Sequence, residues 1–494
     1  MANGGMVVAA VDAAAASAAE AAGAVRVELI DGGEWNALIG AEAPADRAPL
    51  RELAAFGRFE GKSLQFLPWL RGDGRRGLLV GREPRGSATA ALRSAMAAAV
   101  QAVADGGHVV VAVPRTMAAD APQQAAAVTA LAEGALLSLE RTRRSGKPEP
   151  SRAKPSVSIE STLSPDVAAA AVRRGAAMAA GVLRARDLVN APAEELGPSE
   201  LAEAARAAAL RCGAEVEVLH GDAVAARGFR MVAAVGRASA KPPTVTLVRR
   251  GVSPRIALIG KGVTFDSGGL DLKPADAMEL MRKDMGGAAA VIGALEVMAA
   301  LQLDLPFVAA IPAAENMVGP DAFRPGDVLR AYDGTTVEIG NTDAEGRLLL
   351  ADALSWAREQ GAERLVDYAT LTGAARVALG PDLPAHFCSD ETLASALEAC
   401  ARAGDEPVWR LPLWDGYEKS LDTPFADVSH TGSEKRAGAI TAALFLRRFT
   451  GGLPWAHVDL YAWEDRGRPE TPRGGNGMGV RTLAALVERL AAGG

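Results

Sequence analysis

Two short stretches contain most of the residues that could do chemistry. They read GKGVTFDSGG over residues 260–269 and NTDAEGR over residues 341–347. Together with the segment between them, they supply four acidic side chains: Asp266, Asp284, Asp343 and Glu345. Carboxylates that share a site repel one another unless cations lie among them, and oxygen ligands suit divalent metals. The sequence therefore predicts a metal site, and four carboxylates favour two ions that are bridged by one or more of them.

Three basic residues accompany the acidic ones. Lys261 either lies outside the metal shell or binds a metal through an unprotonated nitrogen, which requires a pKa far below its ordinary value. Lys273 is a candidate for stabilising an oxyanion as a charged group. Arg347 lies at the start of a predicted helix and is suited to binding an anion. The spacing of Asp343 and Glu345 predicts that both side chains leave the same side of an extended segment.

Apolar runs that alternate with helical stretches position these residues. Seven runs predict strands, over residues 216–219, 231–235, 244–248, 256–259, 307–311, 365–371 and 456–461. Such strands form a mostly parallel or mixed sheet that is covered by helices on both faces. Ligands of these sheets bind at the carboxyl ends of the strands. Lys261 and Asp266 follow one predicted strand and residues 370–373 end another, so we expect the site at that edge.

The chain is predicted to contain two α/β domains. Residues 1–24 predict a flexible N-terminus, and residues 25–145 predict a small α/β domain with the order strand, helix, strand, helix. Residues 146–164 begin with a proline-rich stretch that is typical of a linker. Residues 165–494 predict a larger catalytic α/β domain that has a central mixed sheet flanked by helices.

Composition argues against several functional classes. The chain has 494 residues and a formal net charge of −7, which makes nucleic acid an unlikely main partner. Its three cysteines, Cys212, Cys388 and Cys400, are far apart and predict neither a disulfide framework nor a cysteine zinc cluster, as is typical of cytoplasmic proteins. No run of about eighteen uncharged apolar residues predicts a membrane span. The five histidines form no His-x-x-x-His pair, so histidine-based zinc chemistry is not expected.

The two motifs, together with MRKDMGGA over residues 281–288, resemble the signature of the leucyl (cytosol) aminopeptidases. The resemblance extends to three further blocks, residues 186–192, 369–374 and 437–443, and so covers most of residues 166–490. The heptapeptide NTDAEGR is the most specific element. Two segments depart from the family pattern, GRAS over residues 236–239 and the loop over residues 429–436.

The resemblance implies a metal-dependent aminopeptidase that removes the first residue from peptides with a free N-terminus. It implies that Asp266 and Glu345 bridge two divalent ions. Asp343 then completes the shell of one ion, and Lys261 with Asp284 completes that of the other. The implied metals are zinc or manganese, with magnesium and cobalt as alternatives.

The remaining roles also follow from the resemblance. A metal-bound hydroxide attacks the first carbonyl, Lys273 stabilises the oxyanion, and Arg347 holds a bicarbonate that serves as general base. A pocket wall for the first side chain is implied for four residues: Met281, Thr370, Leu371 and Gly373. Asn341 is implied to lie near the second residue of the peptide. The family further implies a homohexamer, a dimer of trimers, in the cytoplasm.

Two alternatives remain open at this point. A two-metal hydrolase of phosphoesters could use the same carboxylates, although a lysine ligand and the lack of a basic phosphate clamp disfavour it. An oligomeric scaffold or DNA-binding partner is the alternative from a different class. A protein that had abandoned catalysis should have lost ligands, and none of the implied ligands is missing. The net charge of −7 also predicts weak binding to DNA.

Overall fold

The structure, a computed structural model, describes residues 6–30, 60, 62, 65–70, 76–82, 86–103, 107–138, 155–434 and 436–493. The chain forms two compact units. The first comprises Met1–Ala179 and Arg466–Arg473, and the second comprises Ala180–Asp465 and Gly474–Gly494. In the described part of the chain, no helix is both long enough and apolar enough to cross a membrane.

The first unit is built on a six-stranded sheet. Its elements are β1 (Val8–Val11), α1 (Ala13–Ala21), β2 (Val25–Ile30), β3 (Phe66–Leu70), β4 (Arg76–Gly81), α2 (Ala88–Ala102), β5 (His108–Ala112), α3 (Ala121–Leu137) and β6 (Ser156–Glu160). The strand order is β1-β6-β5-β2-β4-β3, and all neighbours are parallel except β3 and β4. The side chains of Ser87 and Asp120 cap α2 and α3 by accepting the N–H groups of Ala90 and Gln123.

The N-terminal residues differ from the flexible segment that we predicted for residues 1–24. β1 pairs in parallel with β6, and Asp12 caps α1 by accepting the N–H of Ala15 at 2.8 Å. β6 itself lies inside the predicted linker, of which residues 146–154 lie outside the described residues. Pairing between segments that are about 150 positions apart is not encoded in local composition, which explains both differences.

The second unit is built on a nine-stranded mixed sheet. Its helices are α4 (Pro165–Asn190), which starts in the first unit, α5 (Pro198–Arg211), α6 (Asp222–Ala226), α7 (Arg230–Gly236), α8 (Ala275–Met278), α9 (Gly286–Ala300), α10 (Gly346–Glu359), α11 (Gly373–Leu379), α12 (Glu391–Ala403), α13 (Gly438–Arg447) and α14 (Val480–Ala491). Its strands are β7 (Glu215–His220), β8 (Thr244–Arg250), β9 (Ile256–Gly260), β10 (Gly262–Asp266), β11 (Phe307–Asn316), β12 (Val328–Arg330), β13 (Thr336–Glu338), β14 (Leu365–Ala369), β15 (Ala385–Cys388), β16 (Trp409–Arg410), β17 (Val428–Ser429), β18 (Trp455–Asp459), β19 (Trp463–Glu464) and β20 (Gly474–Gly475). The main sheet has the order β16-β15-β18-β14-β9-β11-β8-β7, and β10 pairs with β11. The predicted central mixed sheet is thus confirmed.

Four neighbouring strands of this sheet bring polar residues to one edge. β18, β14, β9 and β11 are mutually parallel, so their carboxyl ends lie side by side. Asp459 ends β18, Thr370 follows β14, Lys261 follows β9, Asn316 ends β11, and Asp266 ends the adjoining β10. Polar side chains from five strands therefore meet where ligands of open α/β sheets bind.

One predicted strand is wrong, because residues 231–235 lie in the helix α7. The buried carboxylate of Asp352, on α10, accepts the N–H groups of Met231 at 2.9 Å and Val232 at 3.2 Å. Its other oxygen accepts the N–H of Tyr332 at 2.8 Å. A side chain about 120 positions away thus caps the first turn of α7, and no local signal in the sequence reports it.

Replacing Asp352 by alanine is expected to lower the free energy of unfolding by about 3 kcal/mol or more. The reason is that two buried N–H groups and one partly buried N–H group would lose their acceptor. Urea denaturation of the purified chain measures the effect. Asp304→Ala is the matched control, because its side chain is 97% exposed and a surface ion pair contributes about 1 kcal/mol or less. Equal stabilities of the two variants would contradict this account of α7.

Candidate active site

Three carboxylates converge at the edge where the parallel strands end. Asp266 ends β10, Asp343 lies in a 3-10 turn, and Glu345 immediately precedes α10. One oxygen atom from each lies within 4.8 Å of one from each of the others. Asp266 and Glu345 are buried, whereas the side chain of Asp343 is 32% exposed. This arrangement suits a multivalent cation that is reached from one open side.

Two lysine side chains contact these three carboxylates and a fourth one, that of Asp284. Nζ of Lys261 lies 2.7 Å from Oδ2 of Asp284 and 3.1 Å from Oε1 of Glu345. Nζ of Lys273 lies 2.8 Å from Oδ2 of Asp266, and it also pairs with the partly exposed carboxylate of the cluster. The two ammonium groups offset only half of the four carboxylate charges. The donor set therefore fits divalent cations, which would neutralise the remaining buried negative charge.

The pKa values of the cluster indicate a shortage of positive charge. Burial and the charges of Glu345 and Asp284 hold the pKa of Asp266 well above its ordinary value. Burial also opposes charge on Glu345, but Lys261 and Lys273 hold its pKa below the ordinary value. The carboxylates outweigh the burial of Lys261 and raise its pKa. Because Asp266 and Glu345 shift in opposite directions, the two lysines alone do not favour ionisation of all the carboxylates together.

Hydrogen bonds fix the directions of these carboxylates. Nδ2 of Asn316 donates to Oδ1 of Asp266 at 2.8 Å and to the carbonyl oxygen of Thr342 at 3.0 Å. Oγ1 of Thr370 donates to Oδ1 of Asp284 at 2.7 Å. Asn316 was not among the predicted site residues. Its position after the predicted strand over residues 307–311 does indicate this edge of the sheet, and the structure places it at the end of β11, beside β10.

Glycines in both motifs make room for the charged side chains. A Cβ atom at Gly346 would lie 2.5 Å from Cε and 2.8 Å from Nζ of Lys261, so a side chain there would displace the lysine from its carboxylate partners. Gly268 has a φ of 88°, which side-chain-bearing residues rarely adopt, and its Cβ would lie 3.1 Å from Oδ1 of Asp343. Both motifs therefore need glycine at these positions, because the charged side chains of the cluster lie close against the backbone there.

The segment that carries Asp343 and Glu345 is not extended, and that prediction is wrong. Residues Thr342–Ala344 form a 3-10 turn that leads directly into α10. The side chain of Asn341 accepts the N–H of Asp343 at 2.8 Å and starts this turn. The two carboxylates still converge, because one projects from the turn and the other from the residue that precedes the helix.

His430 connects Arg347 to the loop that precedes the turn. Its backbone carbonyl accepts Nη1 of Arg347 at 2.7 Å. Its ring accepts the N–H of Gly340 at Nδ1 (3.1 Å) and donates from Nε2 to the carbonyl oxygen of Asn341 (2.9 Å). Burial and the charge of Arg347 lower the pKa of His430 to about 3, so the ring is neutral. The sequence indicated only a core, cap or surface residue here, because the ring's partners lie about 90 positions away.

Replacing His430 by alanine is expected to lower kcat/KM for the peptide substrates that the family resemblance implies by about 10- to 100-fold. The reason is that a displacement of about 1 Å in a catalytic group has costs of this size, and His430 holds the segments that carry Arg347 and Asn341. Steady-state kinetics measures the effect. His220→Ala, at an exposed position on β7, is the matched control. Similar kinetics for both variants would show that His430 does not position these residues.

The residues predicted to line the first-side-chain pocket lie in two separate segments of the chain. Thr370 and Leu371 follow β14, Gly373 begins α11, and Met281 begins a short 3-10 turn. Oδ1 of Asp459 accepts the N–H of Leu371 at 2.9 Å and fixes the chain direction there. A Cβ atom at Gly373 would meet no atom within 4 Å. Open space therefore lies in front of this glycine.

The cytosol aminopeptidase family, catalytic domain (peptidase M17), matches residues 183–484, which is more than half of the chain. The chain belongs to this family. A probable cytosol aminopeptidase of Chlorobium luteolum is 39% identical over 442 residues, 84% of this chain and 86% of that one. A probable cytosol aminopeptidase of Syntrophotalea carbinolica is 46% identical over 327 residues, 65% of this chain and 66% of that one, so this match spans just under two thirds of the relative.

Solved structures of similar proteins share the fold of this cytosol aminopeptidase family member. A variant of tomato leucine aminopeptidase matches with a TM-score of 0.85 at 30% identity, over 98% of this chain and 97% of that one. The bottromycin maturation enzyme BotP in complex with Mn matches with a TM-score of 0.82 at 37% identity, over 95% of this chain and 100% of that one. The predicted family, the α/β fold class and the enzyme class, an aminopeptidase-type hydrolase, are thus confirmed.

Proposed function

We propose that this chain hydrolyses the first peptide bond of peptides with a free amino terminus, at a centre of two divalent metal ions. The convergence of oxygen atoms from Asp266, Asp343 and Glu345 within 4.8 Å carries the proposal. Glu345 also pairs with Lys261, and through that lysine the cluster extends to Asp284. A single ion held by the three converging oxygens would leave Lys261 and Asp284 without a role, whereas two ions use both.

The proposed metal ligands are the five residues that the family resemblance implies. Asp266 and Glu345 would bridge the ions, Asp343 would complete one shell, and Lys261 with Asp284 would complete the other. When bound, zinc or manganese supplies Lewis acidity and makes hydroxide available near neutral pH. The charge of the ions would also lower the pKa of Lys261, so that its nitrogen could act as a ligand. The manganese named in the BotP complex supports this choice of metal.

Lys273 would stabilise the negative charge that develops on the carbonyl oxygen of the scissile bond. Its side chain is 13% exposed and lies beside Asp343 on the open side of the cluster, which supports contact with a substrate. Arg347 would hold a small anion such as bicarbonate, which would supply a general base beside the scissile bond. Burial lowers the pKa of Arg347 to about 10, so it is charged at neutral pH. Its buried Nε has no hydrogen-bond partner among the described residues, which supports an anion there.

The proposed substrate contacts follow from the same edge of the sheet. The first side chain of the peptide would lie against four residues: Met281, Thr370, Leu371 and Gly373. Asn341, which is exposed beside the acidic cluster, would contact the second residue. The free amine of the peptide would lie at the metal centre, and this requirement restricts cleavage to the terminal bond.

The family resemblance also leads us to propose a cytoplasmic homohexamer, a dimer of trimers. The relatives are named as probable cytosol aminopeptidases, which supports the location. Size-exclusion chromatography with light scattering tests the assembly, and a monomeric mass would overturn it.

A comparison of three substrates tests the proposed function. We expect leucine p-nitroanilide to be hydrolysed in the presence of Zn²⁺ or Mn²⁺. N-acetyl-leucine p-nitroanilide should be hydrolysed at least about 100-fold more slowly, since it lacks the free amine that positions the scissile bond. Bis-p-nitrophenyl phosphate should not be hydrolysed. Equal rates with the free and acetylated substrates, or hydrolysis of the phosphodiester alone, would overturn the proposal.

A further inference from the structure

Lys283 is a lysine that the fold buries. It ends the 3-10 turn that Met281 begins, and it is 7% exposed. Among the described residues, no hydrogen bond or ion pair to its ammonium group is found. Burial and the charges of Lys261 and Arg376 oppose the charge of this ammonium group, and the two carboxylates that favour it, Asp284 and Asp459, are already engaged by other groups. Asp284 pairs with Lys261, and the oxygens of Asp459 accept hydrogen bonds at the start of α11. Buried ammonium groups are almost always paired, so this one indicates a ligand.

A second cation lies beside Lys283. Nζ of Lys283 is 4.8 Å from the centre of the Tyr461 ring, and the guanidinium carbon of Arg376 is 4.6 Å from the same centre. Tyr461 is 8% exposed and is held by a hydrogen bond to Asp465. Arg376 has no ion pair among the residues that the structure describes. The ring thus fixes two positive charges that come from separate elements.

These cations belong to the same elements as two residues of the pocket proposed for the first side chain. Lys283 and Met281 share one turn, and Arg376 lies three residues after Gly373, so it lies on the same face of α11. Thr370 and Ala462 lie side by side, because a Cβ atom at Gly286 would contact both, at 3.1 Å and 2.4 Å. The residue next to Ala462 is Tyr461, whose ring contacts both cations. This series of neighbours relates the two cations to the open space in front of Gly373.

We propose that Lys283 and Arg376 form an anion subsite in this pocket, so that the chain favours peptides whose first residue is glutamate or aspartate. The inference rests on the proposed function and names its substrate class. A substrate carboxylate would give the buried ammonium a charge-assisted hydrogen bond. An apolar first side chain would leave the buried ammonium group without a hydrogen-bond acceptor. This cost disfavours peptides whose first residue is apolar.

The glutamyl to glutaminyl ratio of kcat/KM tests this subsite, because the two side chains have the same shape and differ in charge. The full chain is assayed with Mn²⁺ on the 7-amido-4-methylcoumarin derivatives of glutamate, glutamine and leucine. We expect a ratio of about tenfold or more, and a decrease of this ratio by about tenfold in Lys283→Met.

Lys283→Arg, which keeps the charge, should retain a higher ratio than Lys283→Met. Arg376→Met, at an exposed side chain, should lower the ratio by about threefold. Thermal melting verifies that each variant is folded.

Arg330→Met is the control, since it removes an exposed charge on β12 without changing the pocket, and its ratio should equal that of the wild-type chain. A wild-type ratio near one would overturn the subsite, and so would an unchanged ratio in both Lys283→Met and Arg376→Met. In either case, hydrolysis of the leucine substrate would still support the proposed function. Failure of the wild-type chain to cleave any of the three substrates would overturn both proposals.

Discussion

Replacing Glu345 by glutamine is expected to lower kcat/KM for leucine p-nitroanilide by more than about 100-fold. Loss of an outer-shell partner of a metal ligand already costs about 10- to 100-fold, and loss of a ligand itself should cost more. Glu345 supplies one of the three converging oxygen atoms, and its carboxylate also pairs with Lys261. An amide of the same shape carries no charge and cannot bridge two cations. The variant should also bind less than the full amount of metal, which elemental analysis measures.

The matched control for this prediction is Glu363→Gln. Glu363 is exposed and pairs with Arg255 and Arg364 at the surface, so its replacement should leave both activity and metal content unchanged. Wild-type activity and full metal content in Glu345→Gln would contradict the role of Glu345 as a bridging ligand.

Replacing Lys273 by methionine is expected to lower kcat by about 10²- to 10³-fold while KM changes only a few-fold. This is the effect of removing one group that stabilises an oxyanion in the transition state. Two carboxylates, Asp266 and Asp343, hold the Lys273 ammonium at the open side of the cluster. Burial opposes its charge, but these carboxylates raise its pKa above the ordinary value. The lysine is therefore charged at neutral pH, and steady-state kinetics on leucine p-nitroanilide measures its contribution.

The control for Lys273 is Lys419→Met, which removes an exposed ammonium group and should leave kcat unchanged. Metal content should remain full in Lys273→Met, because Lys273 is not proposed as a ligand. A large increase in KM with an unchanged kcat would show that Lys273 binds the ground state of the substrate instead.

The position of the site was predictable because it depends on short-range patterns. Parallel strands end at one edge, and the charged residues that follow β9 and β10 had to lie there. The glycines beside those residues were equally informative. Gly346 must be glycine because the Lys261 side chain occupies the space that a Cβ atom would need. Both residues belong to motifs that are visible in the sequence.

The partners that complete the site and the fold were not predictable, because they come from distant parts of the chain. His430 and Asp352 each accept hydrogen bonds from backbone groups about 90 to 120 positions away. Residues 231–235 looked like a strand because their apolar run has no visible cap, and Asp352 supplies that cap only in the folded chain. The pairing of β1 with β6 has the same character. Local composition carries no record of such contacts.

The number of metal ions needed for activity tests the central claim most directly. Chelator-treated protein is titrated with Mn²⁺ while bound metal and hydrolysis of leucine p-nitroanilide are measured on the same samples. We predict negligible activity without metal and a maximum when two ions are bound to each chain. Full activity in the chelator-treated protein, or a maximum at one ion for each chain, would contradict a dinuclear centre.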